Sequence, residues 1–73
     1  MPVRWTPERL DQVERAARDR RRVVLVRRGT EYVVIARRLD ARGRRELLVG
    51  VLPMTGEELS FPLADIESFQ VLP

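Results

Sequence analysis

Residues 21–39 read RRVVLVRRGTEYVVIARRL, and this stretch decides the fold. Two runs of β-branched residues flank Gly29-Thr30, the pattern of two strands folded back on each other. A type II′ turn takes glycine at its first central position, which puts the turn at Gly29-Thr30. That register sets Arg28 opposite Glu31, Arg27 opposite Tyr32, Val26 opposite Val33, Val24 opposite Ile35, and Arg22 opposite Arg37.

Beyond the hairpin, Asp40-Ala41-Arg42-Gly43 has turn chemistry. A loop over 41–43 sets Asp40 against Arg44 and Arg38 against Glu46, two complementary pairs, and is preferred to a loop that opposes Arg38 and Arg45. The third strand is then 44–52. One face of this sheet carries Val24, Val26, Val33, Ile35, Leu39, Leu47, Val49 and Val51 and is expected to be the core. The other carries Val23, Leu25, Val34, Ala36, Leu48 and Leu52, with Arg27, Tyr32, Gly50 and Glu46 among them. This second face is too apolar to stand in water along its length. Pro53 ends the third strand, and Thr55-Gly56-Glu57 turns into a short strand, 58–62, with Leu59 and Phe61 inward. Pro62 confines it to an edge or terminal position. Leu63-Ala64-Asp65 suits one 3₁₀ turn, and 66–72 is a fifth strand that buries Ile66, Phe69 and Val71.

Before the hairpin, Thr6-Pro7 starts a helix over about 6–20: threonine as N-cap, proline where its missing N–H costs nothing. Trp5 and Leu10 occupy the positions of a hydrophobic staple. Leu10, Val13 and Ala17 form a narrow apolar stripe, expected to lie over most of the second sheet face, with a second subunit as the alternative cover. Asp11–Arg15 and Glu14–Arg18 are i,i+4 pairs with the acid first, the better order.

The fold class that follows is mainly β: an N-terminal α-helix and a five-stranded antiparallel small barrel over about 21–72, in a single domain, 1–73. Closure is the economical way for so few residues to hide both sheet edges. Neither cysteine nor histidine occurs, so disulfides, thiolate metal sites and the usual general base are all ruled out. No metal or cofactor is expected. No apolar run approaches the roughly 20 residues needed to cross a bilayer. The N-terminus carries no signal-peptide core, and a cytoplasmic setting is the expectation.

All 14 basic residues are arginine. Codon bias in a GC-rich genome explains this, as does selection for guanidinium forks that grip phosphate or carboxylate. Residues 1–45 have a net charge of +8 and residues 46–73 a net charge of −5, within an overall +3. Such polarity implies a charged partner or head-to-tail self-association.

The order helix, three longer strands, short fourth strand, tight turn and fifth strand resembles the Sm-like and SH3-like small barrels. Within that group the chain is most similar to Rof, the bacterial Rho-binding antiterminator family. The likeness rests on the helix followed by the barrel pattern and on residues 57–69, EELSFPLADIESF, where a fourth strand passes through a Leu-x-Asp-Ile turn into a fifth. The same close resembles the end of WYL domains. The third strand lacks the polar Asp/Asn pattern of true Sm proteins, so their uridine pocket is not expected. Rof proteins present acidic surface to Rho; by that resemblance Glu8, Asp11 and Glu14 on the helix would be the matching cluster, although the helix exit and hairpins are basic.

Catalysis is not expected. The adjacent Glu57-Glu58 and the Asp65/Glu67 pair form no recognisable site, and Ser60 and Ser68 have no candidate base. Two binding functions remain. In the first, Arg22 and Arg37 oppose each other and are joined by Arg20, Arg21, Arg38, Arg42, Arg44 and Arg45. These form a ring of guanidinium groups at one barrel rim, suited to the phosphates of a nucleic acid, RNA by the barrel resemblance. Exposed aromatic rings are few, so contact with the backbone rather than base reading is expected. In the second, the chain is a protein-interaction regulator, docking on Rho or another transcription component, or a self-assembling barrel.

Overall fold

The computed structural model describes residues 3–73. Helix α1 spans Pro7–Arg18 and is followed by strands β1 (Arg22–Arg27), β2 (Thr30–Arg42), β3 (Arg45–Val51) and β4 (Glu58–Pro62). A 3₁₀ turn at Leu63–Asp65 then leads to β5 (Ile66–Val71). The start of α1 is built as the sequence predicts: the Thr6 hydroxyl accepts from the Arg9 N–H at 3.3 Å, and Pro7 opens the first turn. The exit is a Schellman motif. Arg20 takes a left-handed backbone at φ 53°, its N–H donates to the Ala17 carbonyl, and the Arg21 N–H donates to the Ala16 carbonyl. Of the two predicted i,i+4 pairs, Asp11–Arg15 forms at 3.0 Å; Glu14–Arg18 is not among the ion pairs of the described residues.

All five strands form one antiparallel sheet in the order β4-β3-β2-β1-β5. It does not close into the expected barrel, because β5 pairs with β1 alone and leaves β4 and β5 as free edges. The edges are blunted in other ways. β4 is five residues long and ends on Pro62. The Val3 N–H donates to the Ile66 carbonyl at 2.8 Å, and the Trp5 indole N–H donates to the Leu63 carbonyl at 2.8 Å. Trp5 also stacks on Phe69, centroids 5.2 Å apart, so the N-terminal segment fastens the 3₁₀ turn and β5.

Both hairpin registers differ from expectation. The first turn is Arg28-Gly29, not Gly29-Thr30. Both residues have positive φ, at 50° and 76°, as a type I′ turn requires, and Arg27 therefore pairs with Thr30, Val24 with Val33, and Arg22 with Ile35. The Gly29 N–H is held by the Glu67 carboxylate at 2.8 Å, a tertiary contact that favours this turn. The second loop is the two-residue Gly43-Arg44, so Arg42 faces Arg45 and Asp40 faces Leu47 rather than Arg44. A bulge between Ala36 and Arg38 leaves Arg37 as the extra residue.

The core lies on the other face of the sheet from the one expected. Val23, Leu25, Val34, Ala36, Leu48 and Phe61 are sealed beneath Val13, Ala16 and Ala17 of α1, with Leu63 and Ile66 closing the end. The physical reason is fit. Helix α1 lies chiefly against β2, where Ala36 is small and buried, and the helix stripe is itself small, so the helix can lie close; Gly50 on β3 instead makes room for Val34. A Cβ on Gly50 would stand 2.7 Å from Val34 Cγ2. Tyr32 meets Phe61 edge-on at 5.1 Å on the same side. The face expected to be core is the outer one. There Val24, Val26, Ile35 and Val51 are half-buried and Val33 is 40% exposed. Val49 and Leu47 on that face are covered. Arg38, opposite Val49 on β2, reaches Glu58 on β4 at 3.3 Å and so crosses β3 on that side.

Candidate nucleic-acid interface

The ladder of β2 with β1 ends at Ile35, and that of β3 with β4 ends at Leu47. Past those points the pairs Ala41–Glu46 and Arg42–Arg45 have only each other. The β2–β3 hairpin therefore projects from the sheet, and residues 41–46 are all exposed. Gly43, at φ 63°, allows the tight reversal, and the Asp40 carboxylate accepts from the Ala41 N–H at 2.9 Å. The tip carries Arg42, Arg44 and Arg45. None of the three forms an ion pair within the described residues. Arginines directly opposite in a ladder repel, and a third sits in the turn between them. This is the unfavourable pairing expected of Arg22 and Arg37, and the true register places it at Arg42 and Arg45.

The other predicted arginines are elsewhere. Arg21 is structural: its Nε and Nη2 donate to the Leu72 carbonyl at 3.3 and 3.1 Å, and its own carbonyl accepts from Ala36. Arg22 starts β1, with its carbonyl accepting from Leu72, and its partner on β2 is Ile35 rather than Arg37. Arg20 and Arg37 lie near it, at the helix exit and the bulge, and all three side chains are exposed. Arg38 is engaged with Glu58. From Ile35, beside Arg22, to Arg42 is seven residues of strand, about 23 Å if fully extended. The eight arginines thus do not form one ring: three crown the hairpin tip, four gather at the helix exit, and one is paired across β3.

Beside the tip lies a shallow cleft of about 340 Å³ that the sequence did not reveal. Its apolar wall is Trp5, Leu10, Pro62 and Leu63, and Arg44, Arg45 and the acid Glu46 stand at its margin. Trp5 and Leu10 were legible as a staple at the start of α1. Their proximity to the hairpin tip follows from the β2–β3 register, which was not.

The acids Glu8, Asp11 and Glu14 are exposed on α1, with Asp11 engaged by Arg15. A separate ion pair, Arg27 with Asp65 at 3.9 Å, is about three-quarters buried, and Arg27 Nε has no hydrogen-bond partner. Among the described residues no group of acids is arranged to hold a metal ion, and no helix is long and apolar enough to cross a membrane.

No protein-family model and no curated protein matches the sequence.

Proposed function

We propose that the chain is a non-catalytic module that binds nucleic acid, RNA in preference to DNA, through the arginines of the β2–β3 tip. The observation that carries this reading is the projecting Arg42/Arg44/Arg45 cluster, three like charges against the single nearby acid Glu46, with no ion pair among the described residues. Phosphates would neutralise it, and the apolar wall at Trp5 and Leu10 gives a sugar or base a surface beside the charge. Arg20, Arg22 and Arg37 form a second point of contact for a strand long enough to reach both. The preference for RNA rests on likeness to the Sm-like and SH3-like small barrels. Support for that likeness is the element order and the 3₁₀ turn between β4 and β5.

Fluorescence anisotropy with a labelled single-stranded RNA tests the reading. Three neutralised phosphates give a slope of about −2 in log K against log salt. Replacing Arg42, Arg44 and Arg45 by alanine should weaken binding at least tenfold at low salt and flatten that slope. Binding that survives the triple change would place the interface elsewhere. A Rof-like role on Rho, through Glu8, Asp11 and Glu14, predicts instead no RNA binding and a complex lost when those three acids are neutralised.

A further inference from the structure

The outer face of β1 and β2 is out of keeping with a monomer. A solvated face of an antiparallel sheet is normally polar. Here the centre of that face is Val24 opposite Val33, bordered by Val26, Ile35 and Val51, all β-branched and none fully covered. Val33, in the middle, is the most exposed of them. Charge frames the patch at diagonal corners. Arg22 stands beside Ile35 at one end, and Glu31 stands opposite Val26 at the other. Neither forms an ion pair among the described residues.

We infer that this face binds a second copy of the chain, sheet against sheet, about a two-fold axis that runs across the strands near the Val24–Val33 pair. The charges select that axis. Rotation about it lays Arg22 of one copy over Val26 of the other, beside Glu31 on the adjacent strand, and does so twice by symmetry. A two-fold axis along the strands would instead lay Arg22 over Ile35, four residues along the strand, about 13 Å, from the level of the other copy's Glu31. The first arrangement is self-complementary in charge and packs valine on valine at its centre. Aligned sheet packing of this kind has its own geometry, with strand directions within about 30° of each other. The contact engages Arg22, one residue of the second contact point, but leaves the β2–β3 tip free, so it holds whether or not the tip binds RNA.

Sedimentation velocity on the full chain tests the inference. The wild type should sediment as a dimer at micromolar to millimolar concentration. Val33→Lys should sediment as a monomer with unchanged circular dichroism. The new amine would sit two residues from Glu31 on the same face of its own strand but against its symmetry mate in the dimer. Arg22→Glu and Glu31→Arg should each weaken association at least tenfold, and the double reversal should restore it. A monomeric wild type throughout that range overturns the inference. So does a dimer that is indifferent to Val33→Lys, or one that the single reversals weaken without rescue by the pair.

Discussion

Val33 and Val34 are neighbours on β2 and have opposite surroundings. Val34 has no accessible surface, with Gly50 of β3 against it, whereas Val33 is 40% exposed on the far side of the same sheet. Their side chains have the same shape and hydrophobicity, so the residue type did not decide which is inside. What differs is the rest of each face. The inner face offers Ala36 on β2, the strand that α1 lies against, Gly50 closely packed by Val34, and large residues, Leu25, Leu48 and Phe61, around them. The outer face offers a uniform bed of valine and isoleucine, with no hollow for a helix and no small residue at its centre.

Truncating the inner face should give the largest effect. Leu25→Ala, at a fully buried position, should cost about 2–5 kcal/mol, read as the shift in the midpoint of urea unfolding. In a domain this small that is a large part of the total stability. A loss below 1 kcal/mol would mean that the helix does not seal this face. Gly50→Ala tests the close approach itself. The added methyl meets Val34 at 2.7 Å, and the variant should lose about 1–3 kcal/mol; a stabilised variant would show that β2 and β3 are not so tightly apposed there.

The contrast is sharpest when one change is made at both neighbours. Val34→Thr buries a hydroxyl and should cost about 1–3 kcal/mol, whereas Val33→Thr, compared in dilute monomer, should stay within about 0.5 kcal/mol of wild type. Equal losses would erase the distinction between the faces. A smaller effect, of opposite sign, is expected where the helix leaves for β1. Arg20 holds the left-handed position that a Schellman motif usually gives to glycine, and Arg20→Gly should raise stability by about 1 kcal/mol, measured by thermal or urea unfolding. A loss would mean that the arginine side chain contributes there in a way its exposure does not indicate.

Much of this architecture was legible in the chain. Thr6-Pro7 marked the helix start, Pro62 marked an edge strand, and Leu63-Ala64-Asp65 marked the 3₁₀ turn, because each rests on a local steric or hydrogen-bonding rule. The alternation of the strands was also legible, and moving the first turn by one residue left the side chains from Arg22 to Ala36 on their assigned faces. Past the bulge, Leu39 lies opposite Leu48 on the helix side and Arg38 opposite Val49 on the outer side, the reverse of what was expected. The turn itself was misplaced because Arg28 adopts a positive φ that glycine, asparagine or aspartate would ordinarily supply, and it does so with Glu67 gripping Gly29 from 38 residues away. The second register failed because complementary charges were weighed over the bulge at Arg37, which a pairwise rule does not see. That error carried into the site: it predicted one arginine ring where there are two groups, and it hid the cleft beside Trp5. That the helix stripe covers the face of Val23, Leu25, Val34 and Ala36 was legible; that the opposite face, expected to be core, is the outer one was not, since both faces are apolar.

The chain has no cysteine, so single cysteines at the two neighbours report on the faces without interference. Val33→Cys and Val34→Cys can be compared for their rate of reaction with a thiol reagent in dilute native protein, against the same variants in urea. The account predicts that Val33→Cys reacts within about tenfold of its unfolded rate and slows as protein concentration rises and copies pair. Val34→Cys should stay unreactive until the domain unfolds. A protected Val33→Cys in dilute monomer beside a reactive Val34→Cys would contradict the account and put the core on the other side of the sheet.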